Sequence, residues 1–172
     1  LPISFTWGVL DALLEDGQWH LDGISGTSAG AMNAVALADG LLERGLEGGR
    51  RRLREFWEAI GAMPGFGTLL GSLSGERQSH VHIDQTPAYV AWDMLSRNLS
   101  PYDLNPGGAN PLRDVLAACI DFGRLARAPI KLFVTATNVR TGRGRVFRNG
   151  DLSPEALLAS ACLPTMFQAV EI

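Results

Sequence analysis

Gly26-Thr27-Ser28-Ala29-Gly30 joins two segments of different character. Before it, Trp19 to Ser25 has the composition of a strand; after it, the alanine-rich run Ala31 to Leu42 has that of a helix. A serine with glycine two places before and two places after, at a strand-to-helix turn, is the nucleophile-elbow pattern G-x-S-x-G. The spacing has a steric cause. So tight a turn strains the serine backbone, and side chains two residues either way are expected to collide, which glycine avoids. The hydroxyl then stands at the carboxyl edge of a sheet, at a helix N-terminus whose free N–H groups face a developing oxyanion. Ser28 is therefore the candidate nucleophile, the Ala29 N–H the candidate oxyanion donor, and Gly26 and Gly30 the elbow glycines. The competing explanation is a glycine-rich turn with a serine cap. Five letters arise easily by chance, so the weight rests on the order strand, elbow, small-residue helix.

Upstream, Phe5 to Glu15 places Trp7, Leu10 and Leu14 on one helical face, and Glu15-Asp16-Gly17 ends the helix. Downstream, Met32, Val35 and Ala36 are expected to face the sheet. Leu46 to Ile60 predicts a third helix with Leu53, Phe56, Trp57 and Ile60 on its apolar face. Arg50, Arg51, Arg52 and Arg54 near its start suit a solvated face better than an anionic headgroup site. Gly61 to His82 has no period; a lid, a lipid-contacting flap and a plain connection all fit it. His80-Val81-His82 has no third ligand nearby, so no metal site is assigned. Thr86-Pro87 opens another helix, Ser100 to Ala109 is a loop, and Asn110-Pro111 caps a helix carrying Leu112, Val115, Leu116, Cys119 and Ile120. Ile130 to Val139 predicts a buried strand and Arg145 to Arg148 its hairpin partner across Thr141-Gly142-Arg143-Gly144. A short helix, Pro154 to Ala161, stops before Pro164. Phe167 to Ile172 has the pattern of a further strand.

The chain has 172 residues, 46% hydrophobic and 19% charged, which suits one globular domain over 1–172 with a sizeable core. A net charge of −3 gives no electrostatic case for nucleic acid. Cys119 and Cys162 both sit in apolar helical patterns, as buried free thiols do. No apolar run reaches the length of a membrane span, and Leu1-Pro2-Ile3-Ser4 lacks the features of a signal peptide. Location is narrowed no further than cytoplasmic or peripheral to a membrane. With no initiator methionine, an upstream start is expected.

Phe5-Thr6-Trp7-Gly8-Val9-Leu10-Asp11, Asp22 to Ala31, Thr135-Ala136-Thr137-Asn138 and Ala159-Ser160-Ala161-Cys162-Leu163-Pro164 together resemble the patatin-like phospholipase family. The G-T-S-A-G-A form of the elbow, with Asp22-Gly23 upstream, is far more specific than G-x-S-x-G. The resemblance implies an α/β fold, a three-layer α/β/α sandwich with a mostly parallel central sheet. It also implies a lipid acyl hydrolase that needs no cofactor and uses a Ser–Asp dyad on phospholipids or other acyl esters, with contact to a membrane surface. Oligomeric state is left open.

Two departures stand out. The family's glycine-rich oxyanion loop, G-G-G-x-x-G, does not precede Phe5, and its D-G-G or D-G-A aspartate motif does not follow Pro164. Asp16-Gly17, Asp22-Gly23 and Asp39-Gly40 stand in the wrong places and suit turns, so no dyad aspartate is assigned. The sequence is expected to be incomplete at both points, with Leu1 to Ser4 the start of a strand cut short; a degenerate relative is the rival explanation. Two further functions compete: a non-catalytic lipid- or acyl-binding module, and a Ser-His-Asp hydrolase with His80 or His82 and Asp39 as its only intervening aspartate. Ser25 and Ser160 are expected at close packing points, and Thr135, Thr137 and Asn138 on the same sheet edge as Ser28.

Overall fold

Three strands form the sheet of the computed structural model, which describes residues 2–63, 100–164 and 167–172. They are β1 (Gly23–Gly26), β2 (Lys131–Thr137) and β3 (Gly144–Arg148), in that spatial order. β1 and β2 run parallel, with Gly23 opposite Lys131 and Gly26 opposite Val134. β2 and β3 run antiparallel, with Phe133 opposite Arg148 and Thr137 opposite Gly144. The class is α/β, and the expected hairpin is present. Among the described residues the sheet is mixed and not mostly parallel, because the Asn138 turn sends the chain straight back along β2. Asn138 Oδ1 accepts the N–H groups of Arg140 and Thr141 at 3.0 Å each, and Gly142 takes φ 68.

β1 is shorter than Trp19 to Ser25. Its pairing begins where the Lys131 N–H reaches the Asp22 carbonyl at 2.9 Å, and Trp19 before it is 64% exposed. Helix α1 (Pro2–Asp16) includes residues expected to begin a strand. Proline suits a first helical turn, where its missing N–H leaves nothing unpaired. Gly17, at φ 66, ends α1 by donating to the Leu13 carbonyl.

Helix α2 (Ala29–Ala62) breaks at Arg44 and Gly45, the latter at φ 60 and ψ −145, into two arms matching the two expected helices. The arms fold back on each other at glycine. A Cβ on Gly40 or on Gly48 would overlap the other's backbone, and one on Gly49 would lie 2.7 Å from Leu37 Cδ1. Residues 31–40 are buried without exception, so this arm is enclosed on all sides. α2 packs on β1, β2 and α1, and its second arm lies against the first.

The arms are also joined by charge. Asp39, expected in a turn, is fully buried in the helix, with Arg52 Nε 3.0 Å from one carboxylate oxygen and Arg124 Nε donating to the other at 2.6 Å. Arg51 and Arg52 meet Glu43 at 2.6 and 2.7 Å, and Arg50 meets Asp11 of α1 at 2.9 Å. Arg50, Arg51 and Arg52 therefore form an ion-pair network between helices and not a solvated face, while Arg54 is exposed as expected. The Arg50 hydrogen bond holds the Asp11 carboxyl below its ordinary range.

Helices α3 (Pro101–Leu104), α4 (Leu112–Cys119), α5 (Phe122–Leu125) and α6 (Pro154–Ser160) complete the described elements, with a 3₁₀ turn at Asn149–Asp151. The expected loop Ser100 to Ala109 thus contains one helical turn, closed by a capping box between Ser100 and Asp103. On β2, Leu132, Val134 and Ala136 are buried while Phe133 and Thr135 are half-buried, so one sheet face is covered more fully than the other. Residues 167–172 form no strand. Gln168 Nε2 donates to the Asn105 carbonyl at 2.7 Å, and the Cys162 thiol faces the Gln168 carbonyl at 3.4 Å. Cys162 and Cys119 are free and half-buried, and burial pushes both thiols up. The helix expected from Thr86-Pro87, the histidines His80 and His82, and the glycine-rich stretch beyond Met63 lie outside the described residues.

The two glycine environments predict opposite signs. Gly48→Ala is expected to destabilise the fold by about 1–3 kcal/mol, because the methyl group would overlap the Gly40 backbone, which cannot swing aside as a side chain can. Gly61→Ala, with open space around its helical position, is expected to gain up to about 1 kcal/mol. Urea denaturation of the two variants checks both signs.

Candidate active site

β1 ends at Gly26, α2 begins at Ala29, and only Thr27 and Ser28 lie between. So short a link from extended to helical backbone falls on Ser28, which takes φ 51 and ψ −125. Among the described residues it is the one non-glycine residue with positive φ, a conformation that costs about 1–3 kcal/mol. Local bonds hold it. The Thr27 carbonyl accepts the N–H groups of Gly30 and Ala31 at 2.9 and 3.3 Å, and the Ser28 carbonyl accepts that of Met32 at 3.2 Å.

A further link comes from across the sheet. Ser160, the last residue of α6, accepts the Ser28 N–H on its Oγ at 3.0 Å and donates the same hydroxyl to the Thr135 carbonyl at 2.7 Å. One hydroxyl thus ties the bend at Ser28 to the middle of β2. Sequence reasoning took Ser160 for a small packing residue. The signal available was its place in the quoted Ala159–Pro164 stretch, which marks the position but not the bond. Ser25, expected at a close packing point, is exposed.

The two glycines of the pentapeptide differ. A Cβ on Gly26 would lie 2.5 Å from the Gly30 carbonyl carbon and 2.7 Å from the Ala31 nitrogen. Among the described residues a Cβ on Gly30 would meet nothing within 4 Å, so the expected collision occurs on one side only. Behind the bend, Asn33 Nδ2 donates to the Ala29 carbonyl at 3.1 Å, and Asn33 Oδ1 accepts from Trp57 Nε1 at 2.8 Å. The first turn of α2 is thereby tied to its second arm.

Ser28 itself is exposed. The Gly30 and Ala31 N–H groups are spent on Thr27 and that of Ser28 on Ser160. Among the described residues no acceptor meets the Ala29 N–H. That donor and the Ser28 hydroxyl are therefore neighbours at a helix N-terminus. No described carboxylate or imidazole bonds the hydroxyl. Thr135, Thr137 and Asn138 end β2 on the same edge, since β1 and β2 are parallel. A depression of about 380 Å³ lined by Arg52, Cys119, Asp121, Phe122 and Arg124 lies elsewhere. It adjoins Asp39, roughly 16 Å along the helix from Ser28 at about 1.5 Å per residue.

The patatin-like phospholipase family matches over residues 3–172. The chain belongs to that family. Its comparison with curated proteins and with solved structures gives no match. Membership places the chain, at the coarse level, with lipid acyl hydrolases and with acyl-ester substrates.

The unequal glycines give a test. Gly26→Ala is expected to lower stability by about 1–3 kcal/mol, with backbone and not side chain in the way. Gly30→Ala should be neutral or stabilising by up to about 1 kcal/mol. Denaturant midpoints of the two variants decide; equal losses would show that the tight approach is not confined to Gly26.

Proposed function

We propose that this chain carries the nucleophile of a lipid acyl hydrolase, with Ser28 on a nucleophile elbow of a three-layer α/β/α domain. The observation that carries the proposal is the Ser28 backbone, φ 51 and ψ −125, at an exposed strand-to-helix bend. Strain of this kind persists where the surroundings enforce it, and it concentrates at functional positions.

In the proposed reaction the Ser28 Oγ attacks the carbonyl carbon of an acyl ester. The hydroxyl proton passes to a base, and the tetrahedral oxyanion takes the Ala29 N–H as one donor. Collapse expels the lipid alcohol, which leaves with a proton. Water then hydrolyses the acyl-serine to a fatty acid and free Ser28. Losing one oxyanion donor of this kind typically costs about a hundred- to a thousandfold in rate. Ser160 supports the reaction indirectly, because its hydroxyl fixes the peptide that sets the direction of the Ser28 side chain.

The family resemblance makes the base an aspartate in a Ser–Asp dyad. Asp39 does not suit that role or the acid of a histidine triad, since Arg52 and Arg124 already hold its carboxylate deep in the helix pair. The phospholipid substrate and a membrane-surface site of action rest on the same resemblance.

A fluorophosphonate probe tests the proposal on the whole protein. Labelling is expected at Ser28 and is lost in Ser28→Ala. In Ser160→Ala the labelling should slow while the fold persists, and Ser160→Thr, which keeps a hydroxyl, should recover part of the rate. Absence of labelling in the unaltered protein would leave a lipid-binding module in place of the hydrolase.

A further inference from the structure

Two clusters of the described arginines are treated differently by the protein. Arg44 and Arg54 apart, those on α2 are consumed by carboxylates: Arg50 by Asp11, Arg51 by Glu43, and Arg52 by Asp39 and Glu43. Those on the β2–β3 hairpin are not. Arg140, Arg143, Arg145 and Arg148 are all exposed, and among the described residues none forms an ion pair. Lys131 to Gly150 contains five basic residues and no acidic one, within a chain whose net charge is −3. Lys131, at the far end of β2, pairs with Asp22 at 2.9 Å; of the unneutralised residues Arg140, Arg143 and Arg145 stand toward the turn, and Arg148 stands back opposite Phe133.

Geometry holds that charge outward. Arg145 lies over the Phe147 ring at 4.6 Å and Arg148 over the Phe133 ring at 5.8 Å, contacts that orient a guanidinium without cancelling its charge. Arg140 and Arg143 flank the tip, whose backbone is fixed by the Asn138 side chain and by the Asn138 N–H to the Arg143 carbonyl at 2.9 Å. Two apolar side chains share the surface: Val139 is 76% exposed and Val146 51%.

The position of the hairpin gives the surface its meaning. Ser160 bridges Ser28 to Thr135, so Thr135 marks the level of the serine on β2. At about 3.3 Å per residue the turn at Asn138 stands roughly 10 Å further along the same direction. The hairpin is a basic rim projecting past the edge that presents Ser28.

We infer that the β2–β3 hairpin docks the domain on an anionic lipid surface, Arg140, Arg143 and Arg145 meeting the headgroups and Val139 entering between them. The choice of a lipid surface rests on the acyl-hydrolase proposal; the binding test does not. Guanidinium groups engage phosphate oxygens in pairs, and basic residues beside a membrane each add about fivefold to partition onto anionic lipid. A nucleic acid fits less well. The patch is one hairpin long on a net-negative chain, and exposed valine at its tip offers nothing to a phosphate backbone.

Sedimentation with vesicles tests this on the whole protein in a Ser28→Ala background, which removes turnover from the measurement. Vesicles of phosphatidylcholine alone are compared with equimolar phosphatidylcholine and phosphatidylglycerol. Binding is expected to the mixed vesicles only and to fall as salt rises. Replacing Arg140→Gln and Arg143→Gln together, two side chains outside the ring contacts, should weaken it about thirtyfold. With Ser28 intact, the same pair of changes should leave fluorophosphonate labelling and the thermal midpoint unchanged. Equal binding to both vesicles, no binding to either, an unaffected double variant, or preferential capture of short duplex DNA would each overturn the inference. Failure of the probe to label Ser28 would instead count against the hydrolase and leave the docking result standing.

Discussion

The backbone at Ser28 cannot hold its conformation alone. A non-glycine residue at φ 51 and ψ −125 lies about 1–3 kcal/mol above ordinary backbone, so the elements on either side must be fixed first. β1 is fixed by its parallel ladder to β2, and α2 by the burial of its entire first arm. The Ser160 hydroxyl then spans the gap between them. It accepts from the strained residue and donates to the strand that β1 pairs with, so both ends of the bend refer to one strand. The order of dependence runs from the buried arm to the sheet and only then to the serine.

That arm is narrow and partly polar, which sets how it can be buried. Small residues let the two arms of α2 approach until Gly40 and Gly48 share backbone contact. An interface so close has little volume for large apolar side chains, and buried polar groups give it register. Asn33 joins the first turn to Trp57, and Asp39 joins the later turns to Arg52 and Arg124. The Asn33 amide and the Asp39 carboxylate both have hydrogen-bond partners, as buried polar groups require, while Arg51 Nε and Arg52 Nε are buried without a hydrogen bond. Removing one partner from a buried ion pair typically costs about 3–5 kcal/mol. The Asp39 cluster therefore fixes the register of the arms more than it adds to net stability. Asn149 plays the same part at the start of β2, accepting the Leu132 N–H at 2.8 Å and donating to the Ile130 carbonyl at 2.9 Å.

Periodicity and turn chemistry made most local elements legible. The helices around Leu10, Leu53 and Leu116, the β2–β3 hairpin and the break near Gly45 follow from apolar spacing, glycine and Asx-type turn residues, which act locally. What the pattern missed was non-local. Nothing within Trp19 to Asp22 says that β2 begins opposite Gly23, so the strand was drawn too long. Gly30 looks like Gly26 in the pentapeptide, but only Gly26 faces the returning backbone. Asp39-Gly40 has the composition of a turn; its carboxylate stays helical because arginines thirteen and eighty-five residues away reach it. Ser160 is invisible for the same reason, since its partners lie 132 and 25 residues away.

Arginine shows how far composition can be trusted. The two clusters are equal in number, four arginines within residues 50–54 and four within residues 140–148. The carboxylates within reach separate them. Asp39 and Glu43 stand one turn apart on the first arm of α2, and Glu55 follows Arg51 by four residues on the second, so folding the arms together brings acid to Arg51 and Arg52, while α1 brings Asp11 to Arg50. The hairpin has no such supply, because Asp22 and Lys131 are spent on each other and the next acid in the chain is Asp151. Exposed side chains in water lose little by remaining unpaired, so the fold gives no reason for this concentration of charge. The reason is sought at the surface the hairpin meets, and the bridge from Ser28 to Thr135 puts that surface beside the serine.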